Sequence, residues 1–463
     1  MNFSILRKPG SDTTNRKIFR ATLIVGVLAL VSRCAGVAKE LIIARSFGRG
    51  DAIDAFLIAF ILPSFVMSVG MSALGYALVP VFIDLRQREG DEAASRLFSS
   101  IMLLGTAALA GVAMLLGLLA SFYLPFLGHN FPASKLELTR QLLYVLLPWI
   151  FFSGVSTLAT AVLNANEKFA LPALTPLLTA LITISFVIFA SRRWGVFTLA
   201  AGAVAGSFVE ATILFLFLTR NGIRFSFRWH GFNAGVRSVL GQFAPMITGG
   251  ILMGSTPVVD QAMAAMLPAG SVAALGYANR IVGSILSLSA IALSTATLPY
   301  FSRMVAENDW AGCRHTLKRY SMLVAGASVP FTLLVIAFSR PIVRIVYQRG
   351  VFSASDTELV SWVQACSAVQ LPFYVCSMLF VRFITAVRRN DVLVYVSAIN
   401  LVLNVSLNLA LMKIWNVAGI ALSTSIMYMV AFAMVSIWSI RFLAQERIHA
   451  LSATGEPGNN PCA

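Results

Sequence analysis

The feature that most constrains this chain is a succession of apolar runs, repeated from near the N-terminus to about residue 440 and separated by short polar segments. Each run is about 20 residues long, which matches the hydrocarbon core of a bilayer when the run is wound as a helix. None alternates with period two, so the strands of a membrane barrel are excluded. Inside lipid the backbone has to satisfy its own hydrogen bonds, and helices are what remain. Composition agrees, with 58% hydrophobic and 12% charged residues. That charged share is about half the usual figure for a soluble domain, and the mean hydropathy is +0.81. An all-α integral membrane protein is expected.

Twelve runs can be delimited, at 21–44, 52–83, 98–123, 141–163, 171–190, 194–218, 238–266, 272–300, 320–346, 359–386, 391–412 and 417–440. The most polar internal stretch, 219–237, holds Arg220, Arg224, Arg228 and Arg237 and divides them into two sets of six. The expected organisation is a cytoplasmic tail (1–20), an N-terminal six-helix lobe (21–218), a basic cytoplasmic linker (219–237), a C-terminal six-helix lobe (238–440) and a cytoplasmic tail (441–463). Placing the N-terminus in the cytoplasm puts 21 of the 35 Lys and Arg on that side and 10 on the other, counting Arg340 and Arg344 at the end of the ninth run with the loop that follows it, and leaves Arg33, Lys39, Arg280 and Arg382 inside spans. By the positive-inside rule both termini are expected in the cytoplasm. Arg192-Arg193 and the trio Arg340, Arg344 and Arg349 run against that rule. Residues 1–20 are polar and basic and do not read as a cleaved signal peptide.

The halves contain a repeat. Gly50-Asp51-Ala52-Ile53-Asp54-Ala55-Phe56 through Val79-Pro80-Val81-Phe82 parallels Gly270-Ser271-Val272-Ala273-Ala274-Leu275 through Leu298-Pro299-Tyr300-Phe301. Glu40 stands ten residues before Gly50, as Asp260 stands ten before Gly270. Six spans separate the copies, an even number, so both cross the membrane in the same sense, as in transporters built from parallel repeats.

Ionisable residues at membrane depth cost a few kcal/mol each and usually face a cavity or a partner. The expected substrate-binding set is Arg33, Lys39, Glu40, Asp54, Asp260 and Arg280. Isolated Glu210 is read as structural or as an ion or proton site. Arg33 and Glu40, seven apart, fall within about 20° of one helix face with Gly36 between them. Two readings stay open for these charges: internal pairing and snorkelling, or a surplus of cations that receives an anion. A diphosphate suits the second, because guanidinium grips phosphate oxygens in a bidentate fork. Gly202/Gly206 and Gly250/Gly254 are spaced for close helix packing. Prolines within the runs (Pro63, Pro80, Pro148, Pro245, Pro299, Pro330, Pro372) are expected to kink them.

Several functions are excluded or made remote. The net charge of +16 collects in short loops, a topology signal with no nucleic-acid partner implied. The cysteines (Cys34, Cys313, Cys366, Cys376, Cys462) form neither a disulfide framework nor a CxxC pair. No GxxxxGK[ST] phosphate loop occurs, so drive has to come from the membrane potential, a cation gradient or the substrate, and no cofactor is expected. All four histidines lie in loops or the tail.

The run Ser32-Arg33-Cys34-Ala35-Gly36-Val37-Ala38-Lys39-Glu40, followed by Ala44-Arg45-Ser46-Phe47-Gly48 and Asp54-Ala55-Phe56, resembles the N-terminal signature of the MurJ/MviN lipid II flippases. Gly270 to Arg280 with Leu298-Pro299 resembles their second-half signature, and Tyr347 to Asp356 resembles their loop after span 9. The likeness covers about residues 20–440. It implies a two-lobed helical exporter of the multidrug/oligosaccharidyl-lipid/polysaccharide superfamily, in the bacterial inner membrane, with the lobes around a central cavity. Such an exporter carries a polyprenyl-diphosphate-linked glycan across by alternating access, and a monomer surrounded by membrane lipids is expected. In the family, basic residues matching Arg33, Lys39 and Arg280 line the cavity.

Two departures from the pattern stand out. Family members carry an arginine pair and a glutamate in the second span, whereas Pro63-Ser64 to Val79-Pro80 here has no charge. They also commonly have fourteen spans rather than about twelve. The cargo therefore stays open between lipid II and an exopolysaccharide or O-antigen repeat unit. A transporter rather than an enzyme is expected; the alternatives are a cation-coupled multidrug exporter and an integral-membrane glycan polymerase or ligase.

Overall fold

A computed structural model describes residues 11–223, 225–226 and 228–454; residues 1–10 of the basic tail, Arg224 of the linker and Cys462 lie outside the described residues. Every regular element among these is a helix. In chain order they are α1 (Ser11–Phe47), α2 (Asp51–Val66), a π segment (Met67–Met71), α3 (Ser72–Glu89), α4 (Asp91–Leu118), α5 (Ala120–Leu127), α6 (Ala133–Ala165), α7 (Ala170–Trp194) and α8 (Phe197–Arg220). Then follow α9 (Ala234–Ala264), α10 (Ser271–Ala306), α11 (Trp310–Ala337), α12 (Ser339–Tyr347), α13 (Ala354–Ala368), α14 (Gln370–Ala386) and α15 (Asn390–Thr454).

Nine segments among the described residues are long and apolar enough to cross a membrane, against the expected twelve or so. The difference has identifiable sources. The first run falls in α1, which stands outside the nine. The last two runs merge into α15, which is interrupted only at Trp415 and Asn416, where the backbone leaves helical angles. The seventh run falls in α9, which also stands outside the nine.

Helices outlast the apolar runs at both ends: α1 starts at Ser11 and α15 continues to Thr454. Nothing between Ser11 and Arg20 breaks a helix, so winding continues past the expected limit of the lipid. Among the described residues the linker lacks regular structure at 221–223, 225–226 and 228–233. It is anchored, since the Ser226 N–H donates to Ser99 Oγ at 3.0 Å and Phe225 meets Phe98 and Phe215 edge to face.

The described chain forms two compact units. The first comprises the chain up to Phe47, Ala59–Leu124 and Ala133–Gly250; the second comprises Gly48–Ile58, Pro125–Pro132 and the chain from Ile251 onward. In the first, Phe82, Leu97, Phe98, Ile101, Leu158 and Leu214 form the centre of a buried cluster. In the second, Phe301, Cys313, Leu379, Phe383 and Ile384 do the same. Lipid is as apolar as these side chains, so close packing has to hold the helices together. The α7/α8 pair shows how: a methyl placed on Gly206 would lie 2.9 Å from the Thr179 Cα, and one on Gly202 2.9 Å from the Thr183 Cα. The expected small-residue pair is an interface. Only glycine permits that approach.

The second span of the repeat is continuous from α2 through α3. Pro63 cannot donate to the helix ladder, and four residues later the helix widens into the π segment, the kind of local adjustment a missing N–H invites.

Candidate functional site

The sequence-derived residues divide by unit. Arg33, Lys39, Glu40 and Glu210 belong to the first, and Asp54, Asp260 and Arg280 to the second.

In the first unit α1 is tied to α7 by Ser32, whose hydroxyl donates to the Ala173 carbonyl at 2.7 Å. That contact turns the next residue, Arg33, outward, and it is exposed. Glu40 pairs with its neighbour Lys39 at 3.3 Å. Between Arg33 and Glu40 a methyl on Gly36 would meet nothing within 4 Å. Among the described residues nothing covers the backbone at that position.

The second unit has a counterpart. Arg280 on α10 is exposed, and Gly283, three residues on, also has nothing within 4 Å of an added methyl. Arg33-x-x-Gly36 and Arg280-x-x-Gly283 thus each set a guanidinium one turn from open backbone. The i, i+3 spacing was legible in the chain but gained meaning only once both glycines proved uncovered. Arginine beside accessible backbone suits an anion carrying several oxygens.

Asp54 has a different role from the one its sequence position suggests. It is 1% exposed, with Oδ2 accepting from the Gly270 N–H at 2.6 Å and Oδ1 from the Ala273 N–H at 2.8 Å. These donors open α10, whose N-cap Gly270 has no side chain of its own to serve them. The acid of one repeat copy thus caps the corresponding helix of the other. Gly270 adopts φ +83°, and a Cβ there would lie 2.9 Å from Cγ of Arg49.

Around this cap the three resemblance motifs converge. Arg49 Nε donates to Asp356 Oδ1 at 2.9 Å. Asp356 and Ser353 form the capping box that starts α13. The Tyr277 hydroxyl donates to the Gly48 carbonyl at 2.9 Å, and Tyr277, Tyr347 and Phe352 form an aromatic triad with centroids 5.0–5.7 Å apart. Residues 48–58 are clasped to α10 and α13.

Asp260, 5% exposed, lies in a polar nest. Asn404 and Asn408 donate to Oδ1 at 3.0 and 2.8 Å, and Thr424 donates to Oδ2 at 2.9 Å. The Ser423 hydroxyl in turn donates to Asn408 Oδ1. Asn404 and Asn408 share one face of α15 before its break, while Ser423 and Thr424 follow it, so the turn at Trp415–Asn416 folds both sides onto α9. The sequence flagged Asp260 but missed its partners, because Asn and Thr carry no charge to stand out in a hydropathy profile. Glu210 is simpler, held by the hydroxyls of Thr175 at 3.2 Å and Thr179 at 2.7 Å. Among the described residues no group of three His, Cys, Asp or Glu could hold a metal ion.

A helical chain with repeated apolar spans, exposed arginines in both units and buried carboxylates held by neutral groups is that of a multi-pass membrane protein. The family model described as lipid II flippase MurJ matches residues 43–451, and the chain belongs to that family. A probable lipid II flippase MurJ of Vibrio cholerae is 25% identical over 429 residues, covering 89% of this chain and 81% of the relative. The lipid II flippase MurJ of Burkholderia cenocepacia is 25% identical over 367 residues, covering 76% and 70%. Among solved structures, lipid II flippase MurJ in an inward closed conformation superposes with a TM-score of 0.78 at 22% identity, covering 94% of each chain. An inward-facing multidrug resistance transporter of the MOP superfamily reaches 0.72 at 14% identity, covering 92% and 98%.

Proposed function

We propose that this protein flips a polyprenyl-diphosphate-linked glycan across the bacterial inner membrane by alternating access, as a monomer with both termini in the cytoplasm. The observation that carries the reading is the pair of exposed arginines, Arg33 and Arg280, each beside uncovered backbone. Arginine surfaces of this kind suit a diphosphate and work against an organic cation, so the multidrug alternative fits less well. Lys39 and Glu40, paired about two turns along α1 from Arg33, would adjust the net charge that the diphosphate meets. The uncharged stretch from Pro63-Ser64 to Val79-Pro80 keeps the glycan open between lipid II and another lipid-linked repeat unit.

Asp54 takes the role of a positioning residue, holding the start of α10 and with it the helix that carries Arg280. Asp260 and Glu210 are assigned to coupling. A carboxylate held by carboxamide N–H groups and hydroxyls, side chains that can turn an oxygen toward it instead, has neighbours suited to a small hard cation or a proton, which accords with drive from a cation gradient or the membrane potential.

Reconstituted vesicles loaded with a fluorescent lipid-linked glycan test this. Arg33→Ala and Arg280→Ala should each cut translocation by at least about tenfold, the worth of one charge-assisted contact, with the protein still membrane-inserted. Undiminished translocation by both variants would refute the arginine assignment. Lipid II and an undecaprenyl-diphosphate oligosaccharide, run side by side, identify the glycan.

A further inference from the structure

Arg340, Arg344 and Arg349 run against the positive-inside rule, and flipping a glycan does not explain them. The structure shows what surrounds them. α12 leaves the end of α11 and buries Ser339, Val343 and Tyr347, one residue per turn, while Arg340, Arg344 and Ile345 stay exposed. A short helix with one buried seam, between a span that ends at Ala337 and one that starts at Ala354, fits a helix lying along the bilayer interface. The exposed Phe338 and Trp362 fit the same level.

α12 and α13 line a cavity of about 640 Å³. The Ser339 hydroxyl donates to the Ser361 carbonyl and fixes one wall to the other. Arg340 stands on the α12 side and Glu358 on the α13 side, with Trp362 and Leu359 supplying apolar surface. Both charged residues are exposed, and among the described residues neither takes part in an ion pair. Opposite charges that share a cavity without meeting leave room for a ligand bearing both signs. The volume lies in the range of small-molecule sites, about 300–1,000 Å³.

We propose that this cavity binds the headgroup of a zwitterionic aminophospholipid, the phosphate on Arg340 and the ammonium between Glu358 and the Trp362 indole face. The acyl chains then run along the exposed apolar flank of α11, where Leu333, Leu334 and Phe338 stand open. This does not depend on which glycan is carried. It gives Arg340 a ligand, so that arginine need not be read as an error of topology.

The full-length protein, purified in detergent and exposed to equal amounts of phosphatidylethanolamine and phosphatidylglycerol, is read by native mass spectrometry. Wild type should retain the zwitterionic lipid about tenfold better, the value of one added charge contact. Glu358→Gln should level the two lipids by removing only the ammonium contact, and Arg340→Ala should lower retention of both. Equal or better retention of phosphatidylglycerol by wild type overturns the proposal, as does a preference unchanged in Glu358→Gln. Brominated phosphatidylethanolamine provides a readout that does not need the charge variants: it should quench a share of tryptophan fluorescence that is missing in Trp362→Phe. Identical quenching in the two proteins would place the lipid elsewhere.

Discussion

Asp54 and Asp260 are both almost wholly buried in the same unit, yet they are satisfied in opposite ways. Asp54 is held by two backbone N–H groups at the start of α10. Asp260 is held by two carboxamides and a hydroxyl. Backbone donors at a helix terminus cannot rotate away, so the Asp54 charge is locked in place by the fold and in turn holds it. Carboxamides and hydroxyls can turn either a donor or an oxygen toward the carboxylate, and the coupling role proposed for Asp260 uses that freedom. One acid is fixed by backbone, the other by side chains that can turn.

Substitutions can break this contrast. The largest effect on stability is expected from Asp54→Ala, which strands two buried N–H groups; it should cost on the order of 3 kcal/mol, read as a fall in the melting temperature of the solubilised protein and early proteolysis between residues 48 and 58. A melting temperature equal to wild type would mean that the cap is decorative.

Asp260→Asn should cost less, about 1–2 kcal/mol, because the nest can rearrange around an amide. Its signature is kinetic: translocation should lose its response to an imposed cation or potential gradient, while Asp54→Asn keeps that response. If the two variants exchange these signatures, the distinction fails. Arg49→Ala removes a partly exposed partner of Asp356, and roughly 1 kcal/mol is expected after allowing for solvent screening. Glu210→Gln should matter least, below about 1 kcal/mol, since a glutamine oxygen can still accept from Thr175 or Thr179; differential scanning fluorimetry resolves the order.

What could be read in advance follows the physics of lipid. Apolar length fixes where helices must form, because no other structure satisfies a backbone in hydrocarbon. The cost of buried charge makes Arg33, Asp54, Glu210, Asp260 and Arg280 conspicuous in a chain with few ionisable residues. The spacing of Gly202 and Gly206 announces a close helix pair. These are properties of single segments or of a regular period, and the chain carries them on its face.

Partners are a different matter. Nothing in the sequence says that Asp54 reaches α10, 216 residues on, or that Asn404, Asn408 and Thr424 meet at Asp260. Both depend on which helices lie side by side, and neutral amides and hydroxyls leave no trace in hydropathy. The amino-acid order alone established an all-helical membrane chain and the short set of acids and bases worth explaining. Only the folded arrangement decided that Asp54 caps α10 and that Asp260 lies among Asn404, Asn408 and Thr424, because each placement is set by the groups a long-range contact brings within hydrogen-bonding distance.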